Sequence, residues 1–142
     1  MNDKVKIITP IVGVAPDLKP EFTYNLIVDA AFSKKAIDIK ILDVRGICSF
    51  TDFFVIATAD NRVQQRAIAD AILERMKKNK RQCYHIEGFS DSNWTLLDFA
   101  DVVAHIFLGK ARDFYGLERL WGDAQIIDFT KDDRCFVYKV EG

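Results

Sequence analysis

The chain has 142 residues, of which 49% are apolar and 29% charged, the balance of one soluble globular domain and not of a disordered or fibrous protein. Twenty basic residues against twenty-one acidic ones leave a net charge of −1, so no global field draws the molecule to nucleic acid or an anionic membrane, and charge-based recognition has to be local. Cys48, Cys83 and Cys135 are widely spaced and form no CxxC pair, which argues against a disulfide framework and for a reducing compartment.

Residues 1–20 hold all three prolines, Pro10, Pro16 and Pro20, and read as an N-terminal extension with at most one short strand. From Glu21 to Ala36, Phe22, Leu26, Ile27, Ala30 and Ala31 recur on one helical face, with Lys34 and Lys35 placed for the C-terminal dipole. Ile37 to Val44 alternates as a half-buried strand until Arg45-Gly46 breaks it. Phe53-Phe54-Val55-Ile56-Ala57 is a continuous aromatic and β-branched run, as expected of a strand buried on both faces at the centre of a sheet. Asp60 or Asn61 caps the next helix, Asn61 and Gln64 have a capping-box-like spacing, and Ile68, Ile72 and Met76 stripe that helix to about Lys78.

Cys83 to Glu87 is then a short strand, Gly88 to Asn93 a polar loop, and Trp94 to Phe99 and Val102 to Leu108 two strands joined tightly through Ala100-Asp101. Gly109 opens a last helical stretch in which Phe114, Leu117 and Trp121 fall at i, i+3 and i+7, with Gly116 placed to split it. Residues 125–142 carry two alternating pieces, Ile126 to Phe129 and Cys135 to Val140, read as a C-terminal extension forming a hairpin or an added edge strand. The order α-β-β-α-β-β-β-α implies a mixed β-sheet of about five strands with helices packed on it. The longest apolar runs, such as Val102 to Leu108, fall far short of a bilayer span. The N-terminal residues are unlike a signal or transit peptide. The cytoplasm is the expected location, with no membrane partner.

Side chains suited to catalysis are scattered. Cys83 and His85 stand two apart on one strand, but one such pair does not make a zinc site, and His85 and His105 read as partly buried, hydrogen-bonded histidines. Asp98 and Asp101 at the tight junction suit turn capping better than metal or acid-base work. Cys48, Ser49 and Thr51 near Asp52 lack a nearby histidine or a glycine-rich cradle. No catalytic residue, metal or cofactor is expected. The helix and exit loop carrying Arg62, Arg66, Arg75, Lys77, Lys78, Lys80 and Arg81 read as a solvated face, with RNA contact as the sharper alternative. Taken singly, Trp94, Phe99, Tyr115 and Trp121 each read as core residues, and together, with Arg112 and Arg119, they also form the set from which protein-binding hot spots are built. The residues therefore favour a binding module over an enzyme.

The segment Trp94-Thr95-Leu96-Leu97-Asp98-Phe99-Ala100-Asp101-Val102-Val103-Ala104-His105-Ile106-Phe107, followed by Ala111-Arg112-x-Phe114-Tyr115-x-Leu117-Glu118-Arg119-Leu120-Trp121-Gly122-Asp123-Ala124, closely resembles the signature of the ribosomal silencing factor family, RsfS, also called Iojap. Leu42-Asp43-Val44-Arg45-Gly46, Thr51 to Thr58, Gln65 to Asp70 and Ile86-Glu87-Gly88 stand in the family order, and the resemblance covers residues 21–124. It implies an α/β fold of nucleotidyltransferase-like topology without the catalytic carboxylates. It further implies a factor that binds the large ribosomal subunit through its L-fourteen-family protein, sterically blocks subunit joining and represses translation under nutrient limitation. Carried over by motif, the partner-binding residues are Trp94 and Phe99, extended by Tyr115 and Arg119, while Leu117 and Trp121 pack the final helix on the sheet. Contact with nearby rRNA, a homodimer through an edge strand or the aromatic face, and a nucleotidyltransferase-like enzyme with metal on Asp98 and Asp101 stay open as alternatives. Two departures stand out: Ala100 where the family usually has glycine, so that a turn needing positive φ would be strained, and Leu108-Gly109 in place of a His-Pro-like pair.

Overall fold

Phe53–Ala59 (β2) lies inside the sheet because its continuous apolar run can bury both faces at once, and all but one of its residues are buried. The computed structural model describes residues 19–128. Around β2 stand α1 (Pro20–Ser33), β1 (Ile37–Asp43), α2 (Arg62–Lys78), β3 (His85–Glu87), β4 (Trp94–Asp98), β5 (Val102–Leu108), α3 (Ala111–Tyr115), α4 (Leu117–Leu120) and β6 (Gln125–Asp128). The strands form one sheet in the order β3-β4-β5-β2-β1-β6. β2 and β5 run parallel, joined by the long excursion through α2, and every other neighbouring pair is antiparallel.

Alternation along the strands splits the core in two. Phe53, Val55 and Ala57 of β2 and Val102, Ala104 and Ile106 of β5 meet α1 and α2. Phe54, Ile56, Val103 and Phe107 point the other way and, with Leu42, meet Leu117 and Trp121. The first face is fully roofed by two long helices. The second has only two short ones, and that inequality creates the site described below. Asn61 caps α2 by accepting the Gln64 N–H at 2.8 Å, while the Gln64 side chain accepts the Asp60 N–H at 2.6 Å. Both candidate caps thus take part, with the returning bond one residue earlier than in the usual box.

The mixed α/β class expected from the element order is the observed one, with six strands and not about five, because β6 adds to the outer side of β1. Several boundaries differ as well. α1 ends at Ser33, so Lys34 is its C-cap and Lys35 takes a left-handed φ of 62° beyond it. Ile37 is exposed, because a bulge at Asp38, whose φ is 53°, shifts the alternation of β1. β3 starts only at His85, which leaves Cys83 outside the ladder. Gly116 at φ 59° ends α3 and begins α4, so the i, i+3, i+7 row is broken and Phe114 turns to solvent, 80% exposed. The expected strand early in the chain and the piece from Cys135 to Val140 lie outside the described residues. No helix among the described residues is long and apolar enough to cross a membrane.

Candidate functional site

On β4 every second residue points to the thinly covered face, which puts Trp94 and Leu96 there. Trp94 pairs with Phe107 of β5, and Leu96 pairs with His105. The Trp94 ring lies 4.7 Å from Tyr115, 5.0 Å from Phe107 and 5.8 Å from His105 between centroids. His105 meets Phe54 edge-on at 4.9 Å, and Phe54 in turn meets Trp121 at 5.6 Å. A continuous aromatic row therefore runs from Tyr115 through Trp94, His105 and Phe54 to Trp121. Its inner members are buried, Trp94 and Trp121 are half-buried, and Tyr115, Phe50, Phe114, Ile47 and Leu120 are exposed at its margins. Apolar rings fixed from below and open above suit a protein partner.

His105 is the buried polar group of this row, 3% exposed. Its Nδ1 accepts the Trp94 indole N–H at 3.0 Å, which requires the neutral ring with its proton on Nε2. Nε2 has no hydrogen-bond partner. Burial pushes the His105 pKa down to about 3, since charging the ring here would forfeit its hydration.

Arg112 fastens the short helices. Its guanidinium donates to both Glu118 carboxylate oxygens at 2.9 and 3.2 Å, to the Asp38 carbonyl at 2.6 Å and to the Thr58 hydroxyl at 3.1 Å. The bulge in β1 is what presents the Asp38 carbonyl, and Lys40 lies 3.8 Å from Glu118. The hydrogen bonds from Arg112 hold the Glu118 carboxyl below its usual range. Arg112 is buried, so the hot-spot reading of it is corrected: it braces the helices and is unavailable to a partner.

Of the four residues expected to meet a partner, the fold brings Trp94 and Tyr115 into contact. Arg119 is exposed nearby, beside Gly116, and lines an open groove of about 430 Å³ with Ile47, Leu120 and Trp121. Phe99 is corrected: it is 4% exposed and belongs to the core under α1 and α2. An odd separation along one strand sends two side chains to opposite faces, a signal already present in the spacing of Trp94 and Phe99. His85 is also exposed, not partly buried, and its Nε2 faces Glu87 at 2.5 Å. Cys83 packs instead against the helix-side core. Asp98 caps the junction by accepting the Ala100 N–H at 2.8 Å. Burial raises the Asp101 pKa. Among the described residues, no group of three or more His, Cys, Asp or Glu side chains is arranged to hold a metal.

The site owes part of its shape to Gly88, at φ 67°, where a Cβ would fall well inside 3.0 Å of the Trp94 carbonyl oxygen. Gln65 and Thr95 tie the same loop down, Gln65 donating to the Thr95 hydroxyl and that hydroxyl to the Gly88 carbonyl. Sequence reading missed Phe50, Ile47, Leu120 and Phe114 as surface apolar groups and His105 as the partner of Trp94. The β4–β5 register was needed to see the latter.

Fold and site together define a small mixed α/β domain with an aromatic surface suited to binding. The family model described as "Ribosomal silencing factor during starvation" matches residues 17–139. The ribosomal silencing factor RsfS of Bacillus subtilis is 40% identical over 99 residues, 70% of this chain and 84% of that protein. The chloroplastic protein Iojap of Arabidopsis thaliana is 43% identical over 103 residues, 70% of this chain and 42% of that protein. A crystal structure of a Chromobacterium violaceum protein superposes with a TM-score of 0.71 at 31% identity, covering 73% of this chain and 87% of the other. The chain belongs to the ribosomal silencing factor family, RsfS/Iojap. That family is named for silencing and not for a catalysed reaction.

Proposed function

We propose that this protein represses translation by docking its aromatic face on the large ribosomal subunit, through the L-fourteen-family ribosomal protein, where it blocks subunit joining sterically. The observation that carries the reading is the row of half-roofed aromatics centred on Trp94, in a chain of the silencing family. Such anchors supply most of the binding energy of a protein interface, and a domain of this size can present about 800 Å² to a partner. Blocking needs no chemistry. A factor that competes for one surface shifts the joining equilibrium by about 1.4 kcal/mol for each tenfold by which its concentration exceeds its Kd.

Tyr115 extends the Trp94 surface, and Arg119 stands at its rim. Contact of the basic helix with rRNA is peripheral in this reading. Arg62 donates to the Ser92 carbonyl, Arg66 and Lys78 pair with Asp70 and Glu74, and Arg75 pairs with Asp29.

The test is a density gradient of separated large and small subunits mixed with the protein. Wild type is expected to travel with large subunits and to reduce the joined particle. Trp94→Ala is expected to weaken binding by about 2 kcal/mol, roughly thirtyfold, while still melting cooperatively. Protein that stays at the top of the gradient while joining proceeds would refute the reading.

A further inference from the structure

We propose that His105 is a positioning residue for Trp94: its Nδ1 holds the indole N–H, so that a docking partner meets the carbon face and outer edge of the ring and not its hydrogen-bond donor. The inference rests on the docking function proposed above and deepens it. The indole N–H is the only side-chain donor a tryptophan has, and here it is satisfied internally at 3.0 Å. The acceptor is itself enclosed, set in β5 between β4 and β2, edge-on to Phe54 at 4.9 Å and stacked over Phe107 at 6.4 Å.

Fold stability alone does not account for an imidazole at this position. Its Nε2 is buried with no partner, and a buried polar atom left unsatisfied is destabilising, whereas an apolar ring of similar size would carry no such atom and would free only the indole N–H of a half-buried tryptophan. What the imidazole offers in exchange is one acceptor beneath a half-buried tryptophan. A side chain locked before binding loses less freedom on docking, and the gain appears directly as affinity. The partner surface that fits a ring presented in this way is an aliphatic pocket or a cationic side chain lying on the ring face, and not a carbonyl seeking a donor.

Two substitutions separate positioning from packing. His105→Phe keeps a ring and removes the acceptor. His105→Asn keeps an acceptor close to the Nδ1 position and loses ring volume. Large-subunit binding by His105→Phe is expected to weaken about three- to tenfold, although the variant melts close to the wild-type temperature, since it removes one unpaired polar atom and frees another. His105→Asn is expected to bind more tightly than His105→Phe although it melts lower. A merely structural role gives the opposite pairing, with affinity following stability. In the unsubstituted protein, the Trp94 indole N–H signal, identified by its absence from Trp94→Ala, should exchange slowly with solvent, and His105 should carry its proton on Nε2.

Wild-type affinity in His105→Phe, or a freely exchanging Trp94 N–H in the wild type, would overturn the inference while Trp94→Ala still binds weakly. Unchanged binding by Trp94→Ala would overturn the docking function and the inference with it.

Discussion

Acidification should destabilise this protein through His105, and the size of the effect follows from its burial. The folded pKa lies at about 3 against an ordinary value of 6.5, so between those limits the unfolded chain binds a proton that the folded one refuses. Stability from this group is fully present above the unfolded value and drains away as pH falls toward the folded one. At pH 5, which is 1.5 units below 6.5, the loss is about 2 kcal/mol, at roughly 1.4 kcal/mol per unit. Other groups must be subtracted. Asp43 and Glu118, both held low by arginine hydrogen bonds, lose stability mainly below their ordinary values of 3.8 and 4.5. Asp101, raised by burial, gains stability as pH falls, the opposite sense. All three remain in His105→Phe, so they cancel in a comparison of that variant with wild type. Urea unfolding followed by circular dichroism at pH 7, 6 and 5 provides the comparison. Wild type should lose about 2 kcal/mol more than the variant between pH 7 and 5. Parallel pH dependence in the two proteins would refute the claim that His105 is held neutral by burial.

Ala100 sits at φ 78° on an exposed turn, so Ala100→Gly should relieve left-handed strain and raise stability by about 0.5–1 kcal/mol, seen as a melting temperature higher by roughly 2–4 °C. Arg112→Leu removes one side of a largely buried ion pair and leaves Glu118 and the Asp38 carbonyl without their donor. Calorimetry should show a loss of about 3 kcal/mol, with Tyr115 fluorescence and mobility changing as α3 and α4 loosen. Phe99→Ala should lose about 3–4 kcal/mol of stability by opening a cavity under the helices. The milder Phe99→Leu should bind large subunits as wild type does. Selective loss of binding without loss of stability would show that Phe99 reaches the partner after all.

Local chemistry made much of this fold legible. The uninterrupted run at Phe53 could belong only to a strand buried on both sides, the stripe of Ile68, Ile72 and Met76 only to a helix over a core, and Asn61 with Gln64 marked where that helix starts. The family signature from Trp94 to Ala124 survives as sequence because it encodes one hairpin and one pair of helix turns, both contiguous. Errors arose where local pattern and long-range geometry part. The bulge at Asp38 interrupts the alternation of β1 to offer a carbonyl to Arg112, a residue far along the chain. Gly116 divides a helical row that looks continuous when only apolar spacing is counted.

The site divides in the same way. Sequence alone determined that Trp94 lies on a strand, that it shares a face with Leu96, and that Tyr115 follows on a helical turn, because side-chain direction in a strand and the φ freedom of glycine are local properties. Phe99 could have been sent to the opposite face by the same rule. Tertiary structure alone decided that His105 stands under Trp94, that Phe54 links them to Trp121, and that one face of the sheet is left thinly roofed. Those facts depend on the register between strands and on which helices reach which face. Both are set by the packing of the whole core and by no stretch of sequence taken singly.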